Sequence, residues 1–297
     1  MKIAVFGANG YMGQHIVHYL IEEKQVLPLC FDIQGDFMGK HQVKYQQMDI
    51  SDKAQVQRLD QDFDYIYFFS GLTGTDISID RYEAYIKVNE IGFLNLLDFL
   101  KNLDQKPKLI FPSTRLVYKG VENSPLPEEA EKEFRTIYAS SKYNGEMYLE
   151  MFRNLYGIEY TIFRICVPYG NIVGGQLSYG TISFFLGRAM KKEPIVLFGD
   201  GNLKRTFTHV MDVCRQIIEV SEMPESNGHC YNIDGETFSL KGIASIIGEK
   251  YDVPVQYSQW PEKALKLESG DTIFNASKII KIFPHTLNFS LQEWING

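Results

Sequence analysis

A phenol and an ammonium group lie one helical turn apart in this sequence. Tyr138 and Lys142 occupy positions i and i+4 of a predicted helix, which places them on the same face. Ser113 and Thr114 end the strand that precedes this helix in the chain. Because doubly wound sheets bind their ligands at the carboxyl ends of strands, these groups indicate a reactive site there.

A glycine-rich loop and a later carboxylate indicate dinucleotide binding. Gly7, Gly10 and Gly13 lie between the first predicted strand and helix, where glycine lets the backbone approach a pyrophosphate at the start of the helix. Asp32 lies 19 residues after Gly13, at the end of the second strand, where such folds place a carboxylate on the adenosine ribose. A carboxylate repels a 2′-phosphate, and no arginine follows Asp32. The predicted cofactor is therefore NAD in preference to NADP.

Strands and helices alternate through the first 165 residues. The apolar pattern predicts strands at Lys2 to Phe6, Val26 to Phe31, Val43 to Met48, Asp64 to Phe69, Lys108 to Phe111 and Glu159 to Ile165. Helical patterns occupy Tyr11 to Lys24, Asp52 to Leu59, Asp80 to Lys101 and Ile137 to Tyr156. Apolar strands that alternate with helices form a parallel sheet covered on both faces. We therefore predict an α/β fold with a doubly wound parallel sheet of the Rossmann type.

A smaller, mixed part follows Ile165. Its short strand at Ile195 to Phe198 leads into a glycine turn, and this part does not continue the sheet pattern. A helix at Val210 to Glu222 and a strand at Cys230 to Ile233 are predicted to return to the sheet. The prediction is an NAD-binding Rossmann domain of residues 1–165 plus about 205–235. A smaller mixed C-terminal substrate lobe would comprise about 166–204 plus 236–297.

Composition and charge exclude several classes of protein. The 297 residues are 44% hydrophobic and 23% charged, as in ordinary globular proteins. A net charge of -7 leaves no cationic excess for nucleic acid, and no apolar run approaches the roughly 20 residues that a membrane span requires. The four scattered cysteines contain no Cys-x-x-Cys, so we expect no disulfide framework and a cytoplasmic location. His15 and His18 share a helix without a ligand set around them, so no metal site is predicted.

Short motifs follow one another along nearly the whole chain. They are the glycine loop, Asp49-Ile50, Phe69-Ser70-Gly71, Asn89, Ser113-Thr114, Val117-Tyr118, Tyr138 with Lys142, Phe163-Arg164, Tyr169-Gly170, Phe198 to Phe207, Val210 to Val213, Tyr231 to Ile233 and Ser277-Lys278. Through these motifs the chain resembles the extended short-chain dehydrogenase/reductases. The resemblance is to their NAD-dependent epimerase/dehydratase family, which acts on nucleotide-linked sugars.

The resemblance implies a role for each site residue. Tyr138 would be the acid and base, Lys142 would bind the nicotinamide ribose and lower the tyrosine's pKa, and Thr114 would hydrogen-bond the reacting sugar oxygen. Asn89 would hold the loop behind the cofactor. The complete set expected to bind NAD is Gly7, Gly10, Tyr11, Met12, Gly13, Asp32, Ile33, Asp49, Ile50, Phe69, Ser70, Gly71, Asn89, Tyr138 and Lys142. The residues expected to bind substrate are Ser113, Thr114 and Arg205.

Four positions depart from the usual pattern of the family. Members that dehydrate or decarboxylate their sugar carry acidic residues where Arg115 and Leu116 stand, so elimination is not expected. Many relatives have asparagine at Val167 and arginine at Glu268, and both usually serve the diphosphate of the substrate. Arg205 keeps the other expected cation. A carboxylate in place of a guanidinium weakens the usual diphosphate contact, which leaves a substrate other than a nucleotide sugar open.

Three functions are compatible with these residues. The first is an NAD-dependent sugar-nucleotide epimerase, or a 4-ketoreductase, that transfers hydride at C4 of the sugar. The second is an NAD-dependent reductase or dehydrogenase of another carbonyl compound. The third is a non-catalytic dinucleotide sensor, against which Tyr138, Lys142 and Thr114 argue, because binding alone requires no acid or base. Relatives commonly dimerise through the helices at Ala84 to Leu100 and Tyr138 to Phe152, so a homodimer is expected.

Overall fold

Seven parallel strands form the central sheet. The computed structural model describes residues 1–59, 62–174 and 180–297. In chain order the strands are β1 (Ile3–Phe6), β2 (Leu29–Asp32), β3 (Lys44–Gln47), β4 (Tyr65–Phe68), β5 (Lys108–Thr114), β6 (Pro125–Leu126), β7 (Tyr160–Ile165), β8 (Val167–Tyr169), β9 (Ile195–Phe198), β10 (Lys204–His209), β11 (His229–Asn232), β12 (Glu236–Ser239), β13 (Val255–Ser258) and β14 (Ile273–Phe274). The central sheet has the order β3-β2-β1-β4-β5-β7-β11, and every neighbouring pair is parallel.

Helices cover both faces of this sheet. They are α1 (Tyr11–Glu22), α2 (Lys53–Val56), α3 (Ile77–Asp80), α4 (Tyr82–Tyr85), α5 (Gly92–Leu100), α6 (Ile137–Tyr156), α7 (Gly180–Met190), α8 (Val210–Ser221), α9 (Leu240–Tyr251), α10 (Glu262–Leu267), α11 (Ser277–Ile282) and α12 (Leu291–Asn296). Among the described residues, none of these helices has the length and apolar character that a bilayer crossing requires.

Strand β1 shows why the sheet needs two helical layers. Its side chains alternate, so Ile3 and Val5 pack in a core with α1, α8 and α11. Ala4 and Phe6 pack on the opposite face in a core with α2, α5 and α6. All four residues are buried, as a strand of a doubly wound sheet requires. The predicted α/β fold is confirmed.

A smaller mixed lobe follows the central sheet. Strand β10 pairs antiparallel with β12 and parallel with β8, and α7 and α9 pack on a separate apolar core. Strand β10 lies within this lobe, whereas α8 packs on the central sheet and β11 joins it. The presence of a mixed C-terminal lobe is confirmed, and the boundaries of the two parts stay a prediction.

The segment after β4 is helical over residues 82–100, close to the predicted stretch from Asp80 to Lys101, but its geometry is not uniform. Arg81, with φ -118° and ψ 32°, separates α3 from α4. A π-helical turn, Ile86–Ile91, then joins α4 to α5. A π turn contains one residue more than an α turn, and it buries Asn89. The apolar spacing of the sequence does not reveal the π turn.

The order of the strands creates a crevice at one edge of the sheet. Strands β2 and β3 lie on one side of β1, whereas β4, β5 and β7 lie on the other. The connections therefore leave β1 and β4 in opposite directions. Open parallel sheets bind ligands beyond the carboxyl ends of the strands at such a point.

Candidate functional site

A cleft of about 1130 Å³ opens between this sheet edge and the C-terminal lobe. Ligand pockets commonly measure about 300–1,000 Å³, so the cleft has room for a substrate together with part of a cofactor. The predicted residues that line it are Gly10, Tyr11, Met12, Gly13, Phe69, Gly71, Ser113, Thr114, Tyr138, Lys142 and Arg205. The structure thus brings the glycine loop into one cleft with Thr114, Tyr138 and Lys142.

The glycine loop packs too closely against its neighbours to accept side chains. Gly7 has φ +77°, and a Cβ there would lie 2.5 Å from the backbone of Phe69 and Ser70. A Cβ on Gly13 would lie 2.0 Å from the Gly7 carbonyl oxygen. Helix α1 starts after Gly10, and within the described chain no side chain caps its first amides. A helix start of this kind fits the pyrophosphate of a dinucleotide.

Asp32 joins the second strand to the glycine loop. Its Oδ2 accepts a hydrogen bond from the Asn9 amide at 3.0 Å, and its Oδ1 accepts one from the Gln34 amide at 3.3 Å. An ionised carboxylate offers about four acceptor positions, so two remain for the hydroxyls of a ribose. The neighbouring Ile33 is exposed. These contacts fit the adenosine side of NAD.

Asp49 and Ile50 lie beyond the end of β3. The Asp49 carboxylate accepts hydrogen bonds from the Ser51 amide at 2.9 Å and the Ser51 hydroxyl at 2.7 Å. Ile50 is buried against α5, because a Cβ on Gly92 would lie 2.8 Å from its Cγ2. Both residues stay predicted adenine neighbours.

Asn89 ties the loop after β4 to helix α6. Its Oδ1 accepts from the Leu72 amide at 2.7 Å, while its Nδ2 donates to the Leu72 carbonyl at 3.0 Å and to Ser141 Oγ at 3.2 Å. The loop that it holds includes Ser70 and Gly71. This geometry accords with its predicted role of support behind a cofactor.

Lys142 is a buried cation. Its Nζ donates to the Pro112 carbonyl at 2.9 Å and lies 4.8 Å from the centre of the Phe111 ring. Burial lowers the pKa of Lys142 to about 8, an effect that the nearby Glu146 carboxylate opposes. The ammonium group remains protonated at pH 7. An adjacent cation of this kind favours the ionised form of a phenol.

The start of α6 places Tyr138 in the first helical turn. Thr136 precedes the helix, and its Oγ1 accepts a hydrogen bond from the Ala139 amide at 3.1 Å. This cap fixes the point at which the helix begins. Tyr138 therefore precedes Lys142 by one turn of an intact helix, and both side chains line the cleft.

The two hydroxyl residues at the end of β5 have different partners. Thr114 Oγ1 accepts from the Leu116 amide at 3.3 Å, which leaves its hydroxyl proton for another acceptor. The Ser113 hydroxyl donates to Glu146, which also pairs with Arg164. Sequence reasoning missed Glu146 as part of the site. The signal was its position four residues after Lys142, which continues the spacing of Tyr138 and Lys142 along the helix.

Arg205 is paired with the residue that departs from the family pattern. Its Nη2 lies 2.6 Å from Glu268 Oε2, and its Nε lacks a hydrogen-bond partner in the described structure. Arg115 lies nearby, with Nη1 at 3.3 Å from Thr272 Oγ1. Burial, and then the charge of Arg205, lower the pKa of Arg115 to about 10. Two guanidinium groups and one carboxylate thus lie near one another in the lining of the cleft.

The remaining predicted residues lie beside or behind the cleft. Gly7, in the glycine loop, packs against the backbone of Ser70. Asp32 and Ile33 lie at the end of β2, and Asp49 and Ile50 lie beyond the end of β3. Sequence reasoning did not single out several lining residues from the C-terminal lobe, among them Phe184, Trp260, Lys263 and Leu267. No sequence spacing connects these residues to helix α6, because only the tertiary fold brings the lobe to the sheet edge.

The sequence profile of the NAD-dependent epimerase/dehydratase family matches residues 3–234. The chain belongs to this family. The family assignment confirms the expected class of enzyme and the expected cofactor, NAD. The roles of individual residues stay predictions.

Two relatives are similar in sequence to this chain over more than two thirds of its length. A putative UDP-glucose 4-epimerase of Methanocaldococcus jannaschii is 29% identical over 72% of this chain and 71% of its own length. The UDP-glucuronate 4-epimerase of Thermodesulfobacterium geofontis is 25% identical over 72% of this chain and 69% of its own length.

Solved structures share the same architecture. The UDP-glucose 4-epimerase of Thermotoga maritima, crystallised with UDP-glucose, is 25% identical, with a TM-score of 0.87. The alignment covers 100% of this chain and 96% of that one. The UDP-glucose 4-epimerase of Thermus thermophilus, in complex with NAD, is 22% identical, with a TM-score of 0.87 over 100% of this chain and 97% of that one. At 22% identity, the similarity to the Thermus thermophilus enzyme is a similarity of fold.

Proposed function

We propose that this family member is an NAD-dependent 4-epimerase of nucleotide sugars. The observation that carries the proposal is that Tyr138, Lys142 and Thr114 line one cleft together with the glycine loop. A dinucleotide sensor would need the loop and not the other three side chains. Relatives and structural neighbours that are named as 4-epimerases support the same activity.

The side chains divide the chemistry among them. When bound, NAD supplies a hydride acceptor that later returns the hydride to the sugar carbon. Tyr138 takes the proton of the C4 hydroxyl and gives it back to the C4 oxygen. Lys142 stabilises the phenolate form, and the Thr114 hydroxyl holds the reacting oxygen by a hydrogen bond. A free tyrosine has a pKa near 10, so phenolate at about pH 7 requires roughly 4 kcal/mol of preferential stabilisation.

The residues after Thr114 favour epimerisation over elimination. Arg115 and Leu116 follow it, where dehydrating relatives carry acidic residues. Elimination needs an acid for the leaving hydroxyl and a base for the adjacent carbon proton. Neither a guanidinium group nor a leucine side chain supplies these functions, so hydride removal and return at one carbon remain.

We propose that the lobe of about 166–204 plus 236–297, together with strand β10, holds the nucleotide portion of the substrate. Arg205 is the proposed diphosphate ligand, and the diphosphate must compete with Glu268 for its guanidinium group. This ion pair is also the observation that favours a second candidate, a reductase of a carbonyl compound without a diphosphate. The reductase would consume NADH in each turnover, whereas the epimerase would leave the amount of cofactor unchanged.

The test follows both the sugar and the cofactor. Purified protein is incubated with NAD and, separately, UDP-glucose, UDP-glucuronic acid or UDP-N-acetylglucosamine, and the products are read by proton NMR. An epimerase interconverts the C4 epimers with no net change in absorbance at 340 nm. A reductase leaves these sugars unchanged and consumes NADH with a carbonyl substrate. Failure of every nucleotide sugar would contradict the proposed epimerase.

We propose that the protein is a homodimer. Large apolar side chains on α4, the π turn and α6 are exposed to solvent; they include Tyr82, Ile86, Ile91, Met147, Met151 and Leu155. An apolar surface of this kind is typical of a protein interface. Leu155→Glu is expected to produce a monomer in sedimentation velocity, whereas Leu27→Glu, at an exposed residue elsewhere, keeps the dimer. A monomeric wild type would contradict the proposal.

We also propose a cytoplasmic location, with a role in carbohydrate metabolism. All four cysteines are free thiols, and Cys30 on β2 and Cys214 on α8 are buried in one core of the central sheet. Reduced thiols are typical of the cytoplasm. Cell fractionation with an antibody against the native protein tests the location, and recovery in a secreted fraction would contradict it.

A further inference from the structure

Two histidines and a glutamate meet where helix α1 contacts the segment between β2 and β3. His18 and Glu22 lie one helical turn apart, and His41 comes from the segment between β2 and β3. His18 Nδ1 lies 2.8 Å from His41 Nε2, and His41 Nδ1 lies 3.6 Å from Glu22 Oε1. One ligand atom from each residue lies within 4.8 Å of the other two.

The spacing of this cluster suits a metal ion. His18 Nδ1 and His41 Nε2 face each other at 2.8 Å. The two facing nitrogens share one proton as a hydrogen bond, and an ion can replace that proton. Tetrahedral zinc with Zn–N distances of about 2.0–2.1 Å separates two nitrogens by about 3.3 Å, so a movement of about 0.5 Å is sufficient.

We propose that His18, His41 and Glu22 bind one divalent ion of the zinc class, with water as the remaining ligand. Imidazole nitrogens suit zinc, copper and nickel, whereas magnesium and calcium prefer oxygen ligands alone. None of the three residues lines the catalytic cleft. The sequence paired His18 with His15, whose Nδ1 contacts the Tyr11 carbonyl at 2.7 Å and whose Nε2 accepts from the Ile172 amide at 3.2 Å. Both nitrogens of His15 are therefore occupied, and the other ligands beside His18 are His41 and Glu22.

The ion would fasten the segment of residues 33–43 to α1. This segment also contacts the glycine loop, because Asn9 Oδ1 accepts from the Met38 amide at 2.7 Å and Asn9 Nδ2 donates to the Asp36 carbonyl at 2.9 Å. A ligand that binds the folded state alone stabilises it. Zinc is therefore expected to raise the melting temperature by several degrees.

The test uses full-length protein without a histidine tag, dialysed against a chelator and then against buffer. Zinc chloride is titrated by calorimetry, and metal content is measured by mass spectrometry after desalting. One zinc ion per chain is expected, with no competition from magnesium. His41→Gln and Glu22→Gln are expected to weaken zinc binding at least tenfold, and cobalt is expected to give a visible spectrum that His41→Gln abolishes.

The controls separate this site from unspecific binding and from misfolding. His229→Gln removes an exposed histidine on β11 and is expected to keep full zinc binding. Circular dichroism of each variant without metal checks the fold. Zinc binding that survives His41→Gln unchanged, or a wild type that binds no zinc at 1 mM, would overturn the proposal and leave the two histidines as a hydrogen-bonded pair.

Discussion

Glu146 and Arg164 form a buried ion pair next to the strand end that carries Thr114. The Glu146 Oε2 lies 2.5 Å from Arg164 Nη2, and Arg164 Nε donates to Oε1 at 3.0 Å. The Ser113 hydroxyl donates to the same Oε1. A buried carboxylate with these partners is compensated, whereas either partner alone would be a buried charge.

Glu146→Gln is expected to lower the free energy of unfolding by about 3–5 kcal/mol, because it leaves the Arg164 guanidinium buried without a carboxylate. Urea unfolding measures this loss. Since Glu146 also opposes the lowering of the Lys142 pKa, the variant should lose activity at a lower pH than the wild type does. Glu150→Gln, one turn further along α6 and exposed, is the matched control and should change neither quantity.

Tyr138→Phe is expected to reduce kcat by about 10² to 10⁴ and to leave the NAD dissociation constant nearly unchanged, because only the proton acceptor is removed. Steady-state kinetics and NAD titration measure the two quantities. Tyr156→Phe, at the exposed end of the same helix, should retain full activity. An undiminished kcat in Tyr138→Phe would exclude this tyrosine from the chemistry.

Lys142→Met is expected to change how stability depends on pH. The pKa of Lys142 is about 8 in the folded chain and 10.5 as its ordinary value, so the unfolded chain binds more protons between these limits. The wild type should therefore gain stability relative to the variant as the pH rises from 8 to 10.5, by at most about 1.4 kcal/mol per pH unit. Urea unfolding of the cofactor-free proteins at intervals across this range measures the difference, and parallel curves would contradict the burial of a charged Lys142.

NAD is expected to bind at least tenfold more tightly than NADP, about 1.4 kcal/mol, because the Asp32 carboxylate repels a 2′-phosphate. Asp32→Asn removes the charge and keeps one of the two acceptor oxygens that receive the Asn9 and Gln34 amides, so it should narrow the difference in affinity between NAD and NADP. Calorimetric titration with both cofactors checks this. Asp36→Asn changes an exposed carboxylate on the same segment and should leave the preference intact; equal affinities in the wild type would refute the prediction.

Glu268→Gln is expected to tighten the binding of UDP by about tenfold, about 1.4 kcal/mol, because it releases the Arg205 guanidinium from a charged competitor at 2.6 Å. Calorimetric titration with UDP measures the change. Glu262→Gln, which affects an exposed carboxylate of α10, should leave UDP affinity as it is. Weaker or unchanged binding in Glu268→Gln would mean that Arg205 does not hold the diphosphate.

The sequence predicts the central sheet well because a strand that is buried on both faces has apolar residues at nearly every position. The strands predicted around Ile3–Phe6 and Tyr65–Phe68 are nearly continuous apolar runs, and each lies within two residues of its predicted limits. Helix α6 was predicted from Ile137 to Tyr156, where the structure has it. Its limits are encoded locally, because Thr136 caps its start and Gly157 adopts φ 71° at its end.

The parts that the sequence could not predict depend on tertiary contacts. The pairing of Arg205 with Glu268 joins β10 to the residue after α10, and no periodic pattern connects two such positions. His18 and His41 likewise meet only because the segment after β2 folds back on α1. The spacing of Tyr138, Lys142 and Glu146 was visible in the sequence because all three lie on one helix.

The π turn at Ile86–Ile91 has a consequence for the relatives of this chain. Each residue of an α-helix advances the chain by about 100° around the helix axis. Compared with a regular helix, the one extra residue of the π turn therefore changes by about 100° the direction in which the side chains of α4 point relative to those of α5. Loss of a single residue from this turn would restore regular α-helical spacing and swing the Asn89 amide away from Leu72 and Ser141. The helix would be one residue shorter and would keep its apolar character, yet the loop after β4 would lose its hydrogen bonds to Asn89. Sequences of relatives that differ here by one residue should therefore be aligned with the gap inside the turn, and never inside α5.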